Sequence, residues 1–179
     1  EPNTRVVHLP RFLSHHLRPL TAQDYLPIAA KIVRKRVHPE AASSLETNGA
    51  IRHTWLPRQE LVSIIIPTRD QYPLLRRCIS SLLEKTSYQD YKIFLVDDHS
   101  RDPDLLAWYA ELSSHPNIKI LENPEPFNYS AVNNFGARNS QGNLLLFLNN
   151  DVEIIEAGWL EEMLRWAQLP QIGVVGAQL

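Results

Sequence analysis

The sequence predicts an α/β fold in which a mostly parallel sheet is covered by helices on both faces. From about residue 60 onward, short apolar runs rich in β-branched residues alternate with amphipathic stretches of helical period. Several of these runs end in polar turns, as strands do at the carboxyl edge of such sheets. Residues 1–58 lack this alternation. We therefore expect an N-terminal extension at 1–58 and an α/β domain at 59–179.

The extension is predicted to contain one helix and one hairpin after an irregular tail at residues 1–20. Thr21 is a suitable N-cap, and apolar residues recur at helical spacing from there to residue 37. A turn signal at residues 47–49, Thr-Asn-Gly, then separates residues 43–46 from residues 51–55. Because Asn-Gly suits a two-residue turn, we expect these two segments to pair as a hairpin.

The domain at 59–179 divides into five predicted strands and four predicted helices. The apolar runs predict strands at 62–66, 92–96, 118–121, 144–148 and 172–175. Pro73, Asp102-Pro103 and Ser130 mark the starts of three helices, and an amphipathic stretch at 157–168 predicts the fourth. Cys78, the only cysteine, falls in the apolar stripe of the first of these helices, so we expect it to pack in the core.

The composition limits the classes of function. The chain has 179 residues, 44% hydrophobic and 21% charged, which is typical of a globular domain with its own core. Its formal net charge of −2 gives no basic field that would indicate nucleic acid as a partner. A single cysteine allows no disulfide framework. No apolar run reaches the roughly 18–20 residues that a membrane span requires.

Polar clusters follow three of the predicted strands, at residues 67–70, 97–98 and 149–151. If the strands are parallel, all three clusters lie at one edge of the sheet, where α/β proteins bind ligands. Carboxylate and amide oxygens are the ligands that Mg²⁺ and Mn²⁺ prefer, and such an ion would bridge and neutralise a diphosphate. No glycine-rich phosphate loop follows the first strand, which argues against a dinucleotide oxidoreductase and a P-loop NTPase.

Four ordered blocks resemble those of the family 2 glycosyltransferases, whose fold is called GT-A. The blocks are VSIIIPTRD at 62–70, LVDDHSRD at 95–102, FNYSAVNN at 127–134 and GNLLLFLNNDVE at 142–153. Within the family, the chain is most similar to the bacterial, rhamnosyltransferase-like members that build O-antigen and related polysaccharides. The resemblance implies transfer of a sugar from a nucleoside diphosphate to a hydroxyl group.

The resemblance also implies a nucleotide site. It places the nucleotide-binding residues at Pro67, Thr68, Arg69, Asp97, Asp98 and Asn134. The segment after the first strand lines the base in the family, although an aromatic residue is frequent where Arg69 stands. The second acidic residue after the second strand, here Asp98, accepts a hydrogen bond from the base, and Asp97 supports it. This acceptor suits the N3–H of uracil or thymine, so a UDP- or dTDP-linked sugar is the expected donor.

The family's Asp-x-Asp motif falls on residues 149–151, where Asn149 replaces the first aspartate. Asp151 is therefore the expected main ligand of Mg²⁺ or Mn²⁺, with Asn149 beside it. The resemblance implies an inverting, single displacement on a glycan or lipid-linked glycan acceptor. It also implies a cytoplasmic location, at most peripheral at the inner membrane.

No residue of the chain is assigned as the catalytic base. In the family the base follows the Asp-x-Asp strand, usually well downstream, and this chain ends soon after Asp151. Acidic residues do occur there (Glu153, Glu156, Glu161 and Glu162), but the last two fit the polar face of a helix, and none is named as the base. Because the chain begins at Glu1 and ends at Leu179 in an apolar run, we expect an N-terminal fragment that is inactive by itself.

Two other classes of protein remain possible from the residues. A scaffold or assembly module could keep this fold without turnover, and Asn149 in place of an aspartate would suit it. A sugar nucleotidyltransferase has a similar sheet, but it requires a glycine-rich segment after the first strand, and residues 67–73 contain no glycine. Metal-dependent binding of a nucleotide would distinguish the transferase from the scaffold.

Overall fold

A computed structural model describes residues 21–177 of the chain. It divides into two compact units, one ending at Trp55 and one beginning at Leu56, and each is described by itself. The predicted boundary lies at residue 58, and the predicted tail at 1–20 lies outside the described residues. None of the helices among residues 21–177 is long and apolar enough to cross a bilayer.

The first unit contains the predicted helix and hairpin. Helix α1 (Ala22–Arg36) begins after Thr21, which forms a capping box with Asp24. Strands β1 (Ala42–Leu45) and β2 (Ile51–Thr54) pair antiparallel. Both elements are therefore where local capping and turn signals predict them.

The predicted two-residue turn of this hairpin is wrong. The Glu46 N–H donates to the Ala50 carbonyl at 2.8 Å, which leaves residues 47–49 as the loop. Gly49 adopts a φ of +84° and its N–H donates to the Glu46 carbonyl at 2.9 Å. Three-residue hairpin loops need a left-handed residue at this position, and glycine adopts that conformation without strain. Asn-Gly therefore occupies the end of a longer loop.

The second unit is built on a four-stranded parallel sheet. Its strands are β3 (Val62–Thr68), β4 (Tyr91–Asp97), β5 (Ile118–Glu122) and β6 (Leu144–Phe147), and their order in the sheet is β5-β4-β3-β6. The central strands β3 and β4 are almost wholly buried, as their short apolar runs predict. The first four predicted strands are thus confirmed.

Helices cover both faces of this sheet, which confirms the predicted fold class. Helices α2 (Tyr72–Lys85), α3 (Pro103–Leu112) and α5 (Trp159–Ala167) contribute to one apolar core. Helix α4 (Tyr129–Arg138) packs through Val132 against Ile65, Phe94 and Val96 on the opposite face. Cys78 is buried in the first core, as predicted.

Two details of the predicted elements are wrong. Helix α4 is capped by Asn128, whose side chain accepts from the Ala131 N–H at 3.0 Å, so Ser130 lies inside the first turn. The predicted fifth strand at 172–175 is absent, and Val174 is 90% exposed. A strand requires a neighbour for its backbone hydrogen bonds, and no strand among residues 21–177 pairs with this segment.

Candidate functional site

The three polar clusters meet at the carboxyl edge of the parallel sheet. The Asp98 N–H donates to the Thr68 carbonyl at 2.8 Å, which joins the turn after β4 to the end of β3. The Asn150 amide donates to Thr68 Oγ1 at 3.1 Å, which joins the turn after β6 to the same residue. Thr68 therefore connects both neighbouring turns at the centre of this edge.

The strand order makes this edge a topological switch point. The chain passes from β3 to β4 and β5 on one side and then returns to β6 on the other side of β3. The strand order therefore reverses between β3 and β6, and open α/β sheets bind ligands beyond the carboxyl ends of the strands at such a point. Thr68 and Asn150 lie at this point.

Asp98 is the buried acidic residue of the site, with 2% of its surface exposed. Its Oδ1 accepts from Asn123 Nδ2 at 2.7 Å and lies 3.4 Å from His99 Nδ1. Its Oδ2 has no hydrogen-bond partner among residues 21–177, although Arg69 Nη1 lies 3.7 Å away. One oxygen of a buried carboxylate is thus held by the protein, and the other lacks a hydrogen-bond donor among residues 21–177.

Asn123 was not among the residues predicted for the site. It directly follows β5, is 5% exposed, and donates to both Asp98 Oδ1 and the Glu125 carbonyl at 2.7 Å. The same rule that selected the residues after β3, β4 and β6 applies to β5, so a systematic search of strand ends would have found it.

Asp97 anchors the turn and has both oxygens engaged within the protein. Its Oδ1 accepts from the Tyr109 hydroxyl at 2.8 Å, and its Oδ2 accepts from the Ser100 N–H at 3.0 Å. Burial, together with the hydrogen bond to Asp97, raises the pKa of Tyr109, which keeps its hydroxyl a donor at ordinary pH. Asp97 is therefore placed to support Asp98 rather than to face a ligand.

Asp70 fastens the turn after β3 to the turn after β4. Its Oδ1 accepts from the N–H groups of Arg101 and Asp102 at 2.7 and 3.0 Å, and its own N–H donates to Ser100 Oγ at 2.7 Å. Asp70, Gln71 and His99 all have φ between 52° and 60°. Non-glycine residues adopt this left-handed conformation at a cost, and they do so here where the two turns are held together.

Asp70 gives the site an expected sensitivity to acid. The two backbone N–H donors lower the pKa of this carboxyl below its ordinary value of 3.8. A lowered folded-state pKa contributes stability that is present above 3.8 and is lost as the pH falls through the folded-state value. We expect Asp70→Asn to weaken the pH dependence of unfolding below 3.8, as measured by circular dichroism during acid titration. Asp90→Asn, which removes an exposed carboxylate before β4, should keep the wild-type profile, and an unchanged Asp70→Asn profile would contradict the prediction.

The turn after β6 carries the predicted metal-binding residues. Asn149 Oδ1 accepts from the Tyr129 hydroxyl at 3.0 Å, and Asp151 is exposed. Cys78 Sγ lies 3.7 Å from the Asn149 carbonyl oxygen. Burial, followed by the negative charge of Asp151, raises the pKa of this thiol to about 11, which keeps it protonated. The cysteine therefore supports the turn and has no thiolate chemistry at neutral pH.

The donor set fits a cation that arrives with a diphosphate. Within residues 21–177 no group of three or more His, Cys, Asp or Glu side chains could hold a metal ion. The turn instead offers the Asp151 carboxylate and the Asn149 amide oxygen. Mg²⁺ commonly takes only one or two protein carboxylates and completes its shell with substrate phosphates and water. These residues fit that arrangement and do not form a complete protein cage.

Pro67 and Asn134 lie away from this cluster of contacts. Pro67 is half-buried within β3, beside Val96. Asn134 is exposed on α4 and lines a cavity of about 390 Å³ together with Asn123 and Arg138. The lining of that cavity includes none of Thr68, Asp98 or the residues at 149–151. Asn123 is thus the residue that both the cavity and the Asp98 network share.

Three of the acidic residues after β6, namely Glu153, Glu161 and Glu162, have side-chain partners. Glu153 forms ion pairs with Arg77 and Lys85, and its contact with Arg77 lowers the pKa of its carboxyl. A general base acts best with a pKa near the working pH, so this shift is in the wrong direction. Glu161 accepts from Ser87 Oγ at 2.7 Å, and Glu162 pairs with Arg165. These contacts give Glu153, Glu161 and Glu162 structural roles, and no catalytic base is assigned among residues 21–177.

Comparison with known proteins identifies the family. Residues 63–179 match the family model described as Glycosyl transferase family 2. The chain is 42% identical over 118 residues to the O-antigen biosynthesis protein RfbC of Myxococcus xanthus, an alignment that covers 66% of this chain. A second curated relative is also 42% identical to the chain. The alignments cover 13% of the length of that relative and 9% of the length of RfbC, so the chain spans only a small part of either.

Solved glycosyltransferases have the same fold. The mannosyltransferase PcManGT from Pyrobaculum calidifontis, in complex with GDP-Man and Mn²⁺, matches with a TM-score of 0.58 at 20% identity over 85% of this chain and 41% of its own. S. aureus TarS in complex with UDP-GlcNAc matches with a TM-score of 0.50 at 20% identity over 59% of this chain and 30% of its own. With the family match over residues 63–179 and this fold, the chain belongs to glycosyl transferase family 2.

Proposed function

We propose that this domain binds a nucleoside-diphosphate sugar and serves the transfer of that sugar to a hydroxyl acceptor in cell-surface polysaccharide synthesis. The observation that carries the proposal is the buried Asp98 carboxylate at the carboxyl edge of the sheet, whose Oδ2 has no hydrogen-bond partner among residues 21–177. A buried acceptor without a donor is costly. An imino N–H of a nucleotide base would supply that donor.

The residues near Asp98 suit the recognition of a base. Thr68 lies beside it at the switch point, and the Arg69 side chain is 57% exposed and directs a cation towards Asp98 Oδ2. Asp97 holds the turn in place through Tyr109 and Ser100. Contacts of Pro67 and Asn134 with the nucleotide remain predictions of the family resemblance.

The residues after β6 suit the diphosphate. Asp151, with Asn149 beside it, would hold Mg²⁺ or Mn²⁺, and a bound cation would neutralise the diphosphate as it leaves. Support comes from the Pyrobaculum mannosyltransferase, which was solved with GDP-Man and Mn²⁺. Asp151 is exposed, so a diphosphate can reach its carboxylate without rearrangement of the core.

The transfer itself is proposed to be a single displacement at the anomeric carbon, with inversion. The acceptor hydroxyl attacks that carbon and the nucleoside diphosphate departs, while a carboxylate outside this chain takes the hydroxyl proton. A glycan or lipid-linked glycan is the proposed acceptor, since the relative from Myxococcus xanthus is an O-antigen biosynthesis protein. Such an acceptor would place the protein in the cytoplasm, at most peripherally at the inner membrane. We expect no steady rate of transfer from this chain alone.

Calorimetric titration of UDP and dTDP, with and without Mn²⁺, tests the donor site. It should be carried out on this chain and on the full-length protein that carries it. We expect Mn²⁺-dependent binding that Asp151→Ala weakens at least about tenfold, the equivalent of about 1.4 kcal/mol, because the variant removes the only carboxylate of the 149–151 turn.

Glu156→Ala is the matched control, because it removes an exposed carboxylate five residues further along the chain. It should bind as the wild type does. If neither form binds UDP or dTDP under any condition, the donor site is wrong. Binding by the full-length protein without sugar transfer would favour the scaffold function.

A further inference from the structure

The two oxygens of Asp98 differ in what they can still accept. An ionised carboxylate oxygen has about two lone-pair sites. At Oδ1 these sites face Asn123 Nδ2 at 2.7 Å and His99 Nδ1 at 3.4 Å, so the protein itself can fill both. At Oδ2 no hydrogen-bond donor of the described chain is in reach. Asp98 therefore has one oxygen, rather than two, that still lacks a hydrogen-bond donor within the described chain.

Asn123 cannot easily release Oδ1. The same Nδ2 group donates to the Glu125 carbonyl at 2.7 Å, and the Asn123 backbone N–H donates to the Asp97 carbonyl at 2.8 Å. The side chain is buried, at 5% exposure. Rotation of the amide would break two hydrogen bonds in a place without solvent to replace them. The amide is thus a fixed part of the acceptor.

Nucleotide bases differ in how many adjacent donors they present. Uracil and thymine present one imino N–H between two carbonyl groups. Guanine presents its N1–H and its N2 amino group side by side, and this pair matches both oxygens of a free carboxylate. With Oδ1 occupied, the N2 amino group of guanine would be left without an acceptor. Arg69 Nη1, 3.7 Å from Oδ2, is in turn a donor suited to a carbonyl beside an imino N–H.

We infer that Asn123 makes Asp98 a single-donor acceptor and thereby selects uracil or thymine diphosphates against guanine diphosphates. The inference rests on the proposed function, because it concerns the base of the same nucleoside-diphosphate sugar. The fold alone does not make this choice, since the Pyrobaculum mannosyltransferase with the same fold was solved with GDP-Man. In this chain the choice is assigned to one amide that lies after β5.

The test compares UDP, dTDP and GDP by calorimetry with Mn²⁺ on whichever form of the protein binds UDP. We expect UDP to bind at least about tenfold more tightly than GDP, because leaving the N2 amino group of guanine without an acceptor weakens binding by about that factor. Asn123→Ala should reduce the ratio to about threefold or less, because Oδ1 becomes available. Asn143→Ala, an exposed amide before β6, should keep the wild-type ratio.

The outcomes separate the inference from the proposed function. If UDP and GDP bind the wild type within threefold of each other, the inference is overturned and the donor site stands. If Asn123→Ala binds UDP but still rejects GDP, the assignment to Asn123 is overturned. Should Asn123→Ala fail to fold, IDP, which lacks the N2 amino group, is compared with GDP on the wild type at millimolar concentration. We then expect IDP to bind the wild type several-fold more tightly than GDP does. Equal binding of IDP and GDP would overturn the inference. If no nucleotide binds, the proposed function itself fails.

Discussion

Gly142→Ala is expected to destabilise the protein by about 3 kcal/mol, at the upper end of the cost of overpacking a well-packed site. A Cβ atom at this position would lie 2.4 Å from the Leu61 carbonyl oxygen and 2.9 Å from Ser63 Oγ. The nearer atom belongs to the backbone leading into β3, so it cannot rotate away. The Gly142 N–H also donates to Ser63 Oγ at 2.9 Å, and a displaced backbone would lose that bond. Urea unfolding measures the change.

Gly173→Ala provides the control for this substitution. No heavy atom lies within 4 Å of the Cβ that alanine would add there, and the residue is exposed. Its free energy of unfolding should stay within about 0.5 kcal/mol of the wild type. If Gly142→Ala were equally neutral, the close approach of the 142 turn to β3 would be wrong.

Tyr109→Phe is expected to lower the free energy of unfolding by about 1.5–3 kcal/mol, the range for hydrogen bonds to charged groups. The substitution preserves the ring in the core but removes the donor that lies 2.8 Å from Asp97 Oδ1. Asp97 is only 7% exposed, so water cannot readily replace the lost hydroxyl. The same variant should bind UDP more weakly, because the turn that carries Asp98 loses an anchor.

The matched control removes a hydroxyl that is accessible to water. The Tyr129 hydroxyl donates to Asn149 Oδ1 at 3.0 Å, but its side chain is 54% exposed. Tyr129→Phe should therefore change stability by about 0.5 kcal/mol or less. Equal losses in the two variants would show that burial of the Asp97 carboxylate does not govern the cost.

The main elements of the fold follow from local sequence. Strands β3 and β4 are mostly apolar runs rich in β-branched and aromatic residues, which is typical of strands with both faces covered. The starts of α2 and α3 follow from prolines at the first turn, at Pro73 and Pro103, because the fixed φ of proline suits that turn and its missing N–H has no helical partner there. Since parallel strands share their carboxyl edge, the same pattern also predicts that Thr68, Asp98 and Asn150 meet.

Local sequence is a weaker guide where the structure of a segment depends on the path of the chain or on pairing with distant segments. Asn128 rather than Ser130 caps α4, because both residue types are good caps and only the path of the chain selects between them. Residues 172–175 have the composition of a strand, but among residues 21–177 they have no neighbouring strand with which to pair. Composition reports the preference of a segment, whereas pairing depends on what lies beside it.

The sequence by itself therefore determined the family, the parallel sheet and three of the polar clusters at its carboxyl edge, because these depend on local patterns and on their order. Only the tertiary structure decided what each of these residues does. Asp97 and Asp98 are adjacent and chemically identical. Tyr109 and Ser100 donate to both oxygens of the first, whereas Asn123 donates to only one oxygen of the second, and the other has no hydrogen-bond partner among residues 21–177. Those partners come from other parts of the chain, and a carboxylate's role depends on which donors the fold brings within hydrogen-bond distance of it.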